Sequence, residues 1–154
     1  VNAAGVNIND YLLARRQVPE PVLAAFNAAG WTYRIDFDYM GGLSKKLNMS
    51  CIGATNYSQK TIYLSEASAT LHEFGHFLDW MLGFPAEYEQ LFRAEASAAP
   101  LRNYAKTDSR EYFADCFAYW VKYAENANAI SLLQECAPMT YRYMEDLMRI
   151  ANRL

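Results

Sequence analysis

Two histidines and a glutamate lie within five consecutive residues of this chain, in the order His72-Glu73-Phe74-Gly75-His76. On an α-helix, residues four apart project from the same face, so both imidazoles can reach one metal ion. The glutamate between them can accept a proton from a water molecule bound to that ion. A zinc ion held in this way lowers the pKa of its water and polarises a carbonyl group. The spacing therefore predicts a zinc-dependent hydrolytic site formed by His72, Glu73 and His76.

The residues around this motif have the pattern of an amphipathic helix. An apolar stripe at helical spacing consists of Leu71, Phe74, Leu78 and Leu82, and His72, His76 and Asp79 line the stripe beside it. The alternative interpretation is a pair of histidines on a solvent-exposed face, or near a helix N-terminus, that makes ordinary hydrogen bonds. The motif contains both histidines of the chain, and together with the amphipathic pattern this favours the zinc site.

The third zinc ligand must be a carboxylate. A catalytic zinc site usually has three protein ligands and keeps its fourth position for water. No histidine remains in the chain, and residue 82, where an extended helix-turn motif would place one, is leucine. Asp79 lies one turn beyond His76, but its side chain is short and is expected to point along the helix. Glu111 is the better candidate because it lies near the start of a strongly apolar segment that predicts a buried helix.

A second carboxylate, Asp115, follows Glu111 by four residues on the same predicted helix. Buried carboxylates need partners. Both would be satisfied if Glu111 bound zinc and Asp115 accepted a hydrogen bond from the outer nitrogen of a zinc-bound histidine. Alternatively, Asp108 caps this helix and Glu111 is the glutamate of a capping box. The residues alone leave both interpretations open.

The elements that position these residues form an α+β pattern, with a small mixed sheet followed by a mostly helical remainder. Asn9-Asp10 is predicted to cap a helix that ends near Val18, and a second helix runs from Pro19 to Gly30. Alternating residues predict a strand over 31–39, which a glycine pair at 41–42 ends. Two more strands are predicted at 51–55 and 61–64. Helices are predicted at 65–83, 86–98, 109–124, 128–136 and 138–153.

The composition is that of one compact globular domain covering residues 1–154. Hydrophobic residues make up 53% of the chain and aromatic residues 15%, which allows a substantial core. The net charge of -3 and the scattered basic residues argue against nucleic-acid binding. No apolar run approaches the roughly 18 residues of a membrane span. The three cysteines are too few for a disulfide scaffold or a cysteine-rich zinc knuckle.

The N-terminus shows no basic region followed by an apolar stretch, so either the chain has no signal peptide or it begins after the cleavage site of one.

The histidine motif resembles that of the gluzincin peptidases of the anthrax lethal factor type, a family that includes the bacterial Pro-Pro endopeptidases. The resemblance extends to the segment from Ser109 to Asp115, and to Tyr104, which precedes Glu111 by seven residues. It covers roughly residues 61–154, whereas the first sixty residues resemble nothing in the family. The implied fold is a zincin catalytic domain.

The same resemblance implies a role for each site residue. One zinc ion per chain would be bound by His72, His76 and Glu111, with Glu73 as general base. Tyr104 would stabilise the oxyanion of the transition state, and Asp115 would accept a hydrogen bond from His72.

The function that follows is a zinc-dependent endopeptidase, expected to be a secreted monomer that binds a peptide or protein substrate as an extended strand along part of residues 51–64. The resemblance permits cleavage between prolines without requiring it. One alternative is a catalytically weak module of the same fold that acts by binding, against which the intact Glu73 argues. Another is a docking domain with a structural zinc, but such sites usually contain cysteine, and none lies near the motif.

Overall fold

The structure is a computed structural model that describes residues 7–151. These residues form an α+β fold, a three-stranded sheet with a mostly helical remainder, as the sequence predicts. None of the helices within residues 7–151 has the length and apolar character needed to cross a membrane. In chain order, the elements are α1 (Ile8–Arg16), α2 (Glu20–Ala28), β1 (Thr32–Ile35), α3 (Phe37–Leu47), β2 (Gly53–Asn56), β3 (Thr61–Leu64), α4 (Thr70–Met81), α5 (Ala86–Glu95), α6 (Ser109–Lys122), α7 (Ala127–Cys136) and α8 (Pro138–Ala151).

The strand predicted over 31–39 is wrong in its second half. β1 ends at Ile35, and Asp36 then caps α3 by accepting a hydrogen bond from the backbone N–H of Tyr39 at 2.9 Å. Capping by an aspartate is a strong helix start signal. Gly41 and Gly42 lie inside α3 instead of ending a strand. Helix α3 is stabilised because Met40 is buried and the apolar residues of the helix recur at helical spacing.

The other predicted boundaries differ at the helix ends. The first helix is capped by Asn7, whose side chain accepts from the backbone of Asn9, instead of by the predicted Asn9-Asp10 pair. The first two helices end before Val18 and Gly30. The helix predicted from residue 65 begins as a 3-10 turn over Ala67–Ala69 and becomes α-helical at Thr70. The C-terminal end predicted at residue 153 lies outside the described residues.

The sheet has the order β1-β3-β2, with β3 buried in the centre, parallel to β1 and antiparallel to β2. The backbone N–H of Ser65 donates to the carbonyl of Ile52 at 2.9 Å, and Gly53 pairs with Leu64. Hydrogen-bonded and non-bonded pairs alternate along antiparallel strands. The backbone polar groups of Gly53 and Thr55 therefore point away from β3, toward the open edge of the sheet.

The core is formed mainly where α4 packs on α6. The largest fully buried side chains on these two helices are aromatic, namely Phe74, Phe77, Tyr112, Phe113 and Phe117, and Phe26 of α2 packs on Phe74 and Phe77. Helix α4 lies very close to α6 at Gly75: a Cβ built on this residue would lie 2.7 Å from the Cα of Ala114. Since real Cβ atoms do not approach this closely, the two helices can pack at this distance only because residue 75 is glycine.

Helix α8 is anchored to the rest of the chain by Glu95, at the end of α5. The Glu95 carboxylate is buried and accepts hydrogen bonds from the backbone N–H groups of Met139 and Thr140, at 3.0 and 2.7 Å. The Thr140 hydroxyl donates to the same carboxylate at 2.8 Å. A negative group is favoured at a helix N-terminus, so this contact fixes where α8 begins.

Candidate metal centre

The histidine motif lies on α4, as predicted, with both imidazoles and the glutamate buried. His72 and His76 are each 8% exposed, and Glu73 is 5% exposed. The four-residue spacing brings the two Nε2 atoms to 3.1 Å from each other. At this distance the two rings either share a hydrogen bond or face a common partner.

The partner comes from α6. Asp108 caps this helix by accepting a hydrogen bond from the backbone N–H of Glu111 at 2.9 Å. The Glu111 side chain turns toward the histidines, and its Oε2 lies 2.8 Å from His72 Nε2 and 3.2 Å from His76 Nε2. The cap predicted at Asp108 is thus present, while the Glu111 carboxylate faces the motif.

These three donor atoms fit one zinc ion. Tetrahedral zinc with bonds of about 2.0–2.2 Å holds its ligand atoms about 3.3–3.6 Å apart, so an outward movement of roughly half an ångström would accommodate it. Two imidazole nitrogens and a carboxylate oxygen are also the donor types that zinc prefers. Among the described residues, His72, His76 and Glu111 are the group whose ligand atoms lie close enough together to hold a metal ion.

The electrostatics of these side chains agree with a shared cationic partner. Burial alone would lower the pKa of His72, but hydrogen bonds to Asp115 and Glu111 outweigh it and raise the pKa to about 9. Burial would raise the pKa of Glu111, but hydrogen bonds from His72 and His76 lower it to about 2. The site therefore favours positive charge next to the Glu111 carboxylate.

Asp115 supports His72 from behind. Its Oδ1 lies 2.5 Å from His72 Nδ1, and its side chain is buried. This contact keeps the proton on Nδ1 and leaves Nε2 free to bind a metal. Arg102 also contacts Asp115, with its Nε and Nη2 donating to both carboxylate oxygens at 2.8 and 2.9 Å. The sequence did not indicate Arg102, because a single arginine in a loop has no spacing pattern that marks it.

His76 has a weaker partner. The hydroxyl of Tyr57 lies 3.5 Å from His76 Nδ1, and the sequence did not indicate this residue either. Asp79, which the sequence offered as a less favoured ligand, lies apart from the three donor atoms. It is 3% exposed and lines a separate cavity of about 270 Å³. Burial raises the pKa of Asp79 to about 6, against the opposing effects of His76 and Arg110.

Glu73 is held beside the donor atoms by the edge strand β2. The Thr55 hydroxyl donates to Glu73 Oε2 at 2.6 Å. Gly53 lies so close that a Cβ on it would come within 2.9 Å of Glu73 Cγ and 2.8 Å of the Ala69 side chain. Neither contact was predicted, because both depend on which face of β2 meets α4. The strand thus fixes the position of the Glu73 carboxylate.

Tyr104 lies in a 3-10 turn, Asn103–Lys106, that precedes α6. Its ring centroid lies 6.1 Å from that of His72, and 42% of the residue is exposed. Partial burial and the negative charges of Glu111 and Glu73 raise the pKa of Tyr104 to about 12. At neutral pH its hydroxyl is therefore protonated and can donate a hydrogen bond.

A cleft of about 900 Å³ opens above these residues. One side is bordered by β2 and by the apolar end of α3, and the other side by α6 and the loop that carries Arg102 and Tyr104. A cleft of this volume can hold several residues of an extended peptide. The geometry brings together every site residue that the sequence predicted: His72, Glu73, His76, Tyr104, Glu111 and Asp115.

Comparison with known proteins identifies the family. The sequence model described as "Anthrax toxin lethal factor, N- and C-terminal domain" matches residues 33–147. The match begins well before residue 61, so the expectation that the first sixty residues lie outside the resemblance is wrong for residues 33–60.

A curated relative, the Pro-Pro endopeptidase of Clostridioides difficile (strain 630), is 30% identical over 83 residues, which are 51% of this chain and 36% of the relative. The chain thus aligns with about a third of that relative's length. The solved structure of the Pro-Pro endopeptidase PPEP-2 from Paenibacillus alvei is 18% identical and superposes with a TM-score of 0.69 over 92% of both chains, which shows a shared fold. The resemblance found in the motifs is confirmed, and the chain belongs to the family of the anthrax toxin lethal factor domains.

Proposed function

We propose that this protein is a zinc-dependent endopeptidase. The observation that carries the proposal is the convergence of His72, His76 and Glu111 within 3.2 Å of one another, with the Glu73 carboxylate beside them at the floor of a cleft. One zinc ion per chain would be held by these three side chains. Bound there, zinc supplies Lewis-acid activation of a water molecule and of the scissile carbonyl group.

Glu73 acts as the general base and later as the acid. Its carboxylate accepts a proton from the attacking water and delivers it to the amine that leaves. The hydrogen bond from Thr55 leaves Glu73 Oε1 free to take part in this transfer and holds the carboxylate in one orientation. The absence of a side chain at Gly53 leaves room for the Glu73 side chain beside β2.

Tyr104 donates a hydrogen bond to the oxygen that becomes negative in the transition state. Its hydroxyl is protonated at neutral pH, and the residue is exposed to the cleft. A hydrogen-bond donor fixed where negative charge develops stabilises the transition state more than it stabilises the bound substrate. No histidine remains in the chain for this task, so a tyrosine is the available donor.

The substrate binds as an added strand along β2. The backbone groups of Gly53 and Thr55 point to the open edge of the sheet and can pair with an extended peptide. The same two residues contact Glu73. A peptide paired with them would therefore pass directly beside the general base.

Cleavage between two prolines is the substrate preference we propose, and it rests on the names of the two relatives. A digest of a peptide library tests it, with the Glu73→Gln variant as control. The proposal expects cuts concentrated at Pro-Pro bonds in the wild type and none in the variant. Cuts at other bonds would support endopeptidase activity but contradict the preference for Pro-Pro bonds.

Elemental analysis tests the metal. We expect about one zinc per chain and loss of peptidase activity when a chelator removes it. Absence of zinc, with the same metal content in His72→Ala, would exclude a zinc peptidase.

Secretion and a monomeric state remain predictions from the resemblance. Fractionation of a producing culture and sedimentation of the pure protein test them.

A further inference from the structure

The side chain of Arg102 connects three parts of the candidate site. Its guanidinium group donates to both oxygens of Asp115, at 2.8 and 2.9 Å. Its Nη2 lies 3.2 Å from His72 Nδ1. Its Cζ lies 5.2 Å from the centre of the Tyr104 ring, within the range of a cation–π contact.

The chemistry of these groups assigns the hydrogen bonds. A guanidinium group has donors and no acceptor, so it cannot accept a hydrogen bond from His72. When His72 presents Nε2 to a metal, its Nδ1 carries the proton and also donates. Arg102 and His72 therefore both donate to Asp115, and the carboxylate is held between them.

Arg102 also anchors the turn that carries Tyr104. It precedes the 3-10 turn Asn103–Lys106, and its carbonyl accepts the backbone N–H of Ala105 at 3.1 Å. The turn is short and its tyrosine is partly exposed. Through its two bonds to Asp115, the Arg102 side chain ties this turn to α6 and to the motif helix.

We propose that Arg102 is a positioning residue that holds Asp115 against His72 and holds Tyr104 beside the metal ligands. An ordinary surface arginine would contribute little, since exposed ion pairs are weak. Arg102 differs because only one partner is exposed: its own side chain is 56% exposed, whereas that of Asp115 is 9% exposed. The geometry of the pair is also bidentate, which fixes both groups.

The proposal concerning Tyr104 rests on the proposed function, whereas the one concerning His72 needs only metal binding. The test therefore uses two measurements. The first is zinc affinity, measured by competition with a chromophoric chelator, which requires no peptidase activity. The second is a double-mutant cycle between Arg102 and Tyr104, measured by turnover.

The variants are Arg102→Ala, Arg102→Lys, Tyr104→Phe and the double variant Arg102→Ala/Tyr104→Phe. Arg93→Ala is the matched control, because Arg93 forms an exposed ion pair with Glu89 on α5, away from the site. We expect Arg102→Ala to weaken zinc affinity about tenfold, the lower end of the cost of losing a partner of a ligand histidine. Lysine keeps the positive charge but cannot form the bidentate contact, so the zinc affinity of Arg102→Lys should lie between those of Arg102→Ala and the wild type. Arg93→Ala should match the wild type.

In the cycle, Tyr104→Phe should cost roughly 10²–10³-fold in turnover alone. In the Arg102→Ala background, where Tyr104 is no longer held, the same change should cost less than about tenfold. Amide hydrogen exchange over residues 103–106 should be faster in Arg102→Ala.

Unchanged zinc affinity in Arg102→Ala would overturn the proposal that Arg102 holds Asp115 against His72. Additive effects of the two substitutions on turnover would overturn the proposal that Arg102 positions Tyr104. If Arg102→Ala fails to fold, Arg102→Lys tests the proposal instead. Zinc affinity and turnover equal to those of the wild type in Arg102→Lys would overturn the role of the guanidinium group. A wild-type protein that binds zinc but cleaves nothing would contradict the proposed function, and the zinc and exchange measurements would still decide on Arg102.

Discussion

Gly75 lies directly against the backbone of Ala114, and a Cβ on Gly75 would come within 2.7 Å of the Ala114 Cα and 2.8 Å of its carbonyl oxygen. This contact sets the distance between α4 and α6. Two of the candidate ligands lie on one of these helices and Glu111 lies on the other. The closeness of the three donor atoms therefore depends on a residue that has no side chain.

Gly75→Ala should push the two helices apart and weaken both the fold and the metal site. Overpacking of a core typically costs about 1–3 kcal/mol of stability. Gly42→Ala is a matched control, because Gly42 lies in α3 with no atom within 4 Å of an added Cβ. At such a position the same change stabilises by about 0.4–1 kcal/mol. Denaturant titration and zinc competition measure both effects, and equal results for the two variants would contradict the role of Gly75.

Glu73→Gln should keep zinc and the fold but lose peptidase activity by several orders of magnitude, because an amide cannot accept the proton of the attacking water. Glu111→Ala should instead lose the metal. Turnover and zinc content, measured on both variants, separate the base from the ligand. Near-normal turnover in Glu73→Gln would require another base.

Asp115→Ala should weaken zinc affinity by about 10–100-fold, the usual cost of removing a partner that orients a ligand histidine. The reason is the 2.5 Å contact between Asp115 and His72. Asp146→Ala, which changes an exposed aspartate on α8, is the control. If the zinc titrations of Asp115→Ala and the wild type coincide, Asp115 is only a helix carboxylate.

Tyr104→Phe should lower turnover by roughly 10²–10³-fold and leave zinc content and substrate binding nearly unchanged. A residue that is 42% exposed contributes little packing, so the melting temperature should barely change. Steady-state kinetics and a melting curve of this variant measure both quantities. A lowered melting temperature with normal turnover would remove Tyr104 from the mechanism.

The stability of the metal-free protein should depend on pH through His72 and Glu111. The pKa of His72 is raised from 6.5 to about 9, so its stabilising contribution is complete below pH 6.5 and is lost as the pH rises to about 9. The pKa of Glu111 is lowered from 4.5 to about 2, so its contribution is complete above pH 4.5 and is lost as the pH falls to about 2.

Zinc must displace the proton of His72, so its apparent affinity should rise with pH up to about 9. Melting temperatures of the zinc-free and zinc-loaded protein across this range test the expectation. If the zinc-free protein melts at the same temperature from pH 6.5 to 9, His72 is not protonated in the folded state.

The sequence predicted the features of the fold and the site that depend on short-range periodicity and spacing. β3 has the predicted bounds, Thr61–Leu64, and the histidine motif lies on a helix as its four-residue spacing required. Helix α3 was missed because aromatic alternation and a glycine pair favoured a strand. Its signal was nevertheless present, since Met40, Leu43 and Leu47 follow helical spacing.

The contacts that the sequence did not predict join residues distant in the chain. Thr55 meets Glu73 only because β2 pairs with β3 in a register that turns this face toward α4. Arg102 meets Asp115 only because a loop folds back on α6. Such contacts depend on tertiary packing, and no local pattern of residue types marks them.

The buried carboxylate of Glu95 makes the last helix indispensable. Its hydrogen-bond donors come from Met139 and Thr140, at the start of α8. A fragment that ended at Cys136 would keep every side chain of the candidate metal centre, yet it would lose these donors and the core contacts of Met144 and Met148 on α8. The smallest unit able to fold around the site therefore includes a helix that contributes no residue to it.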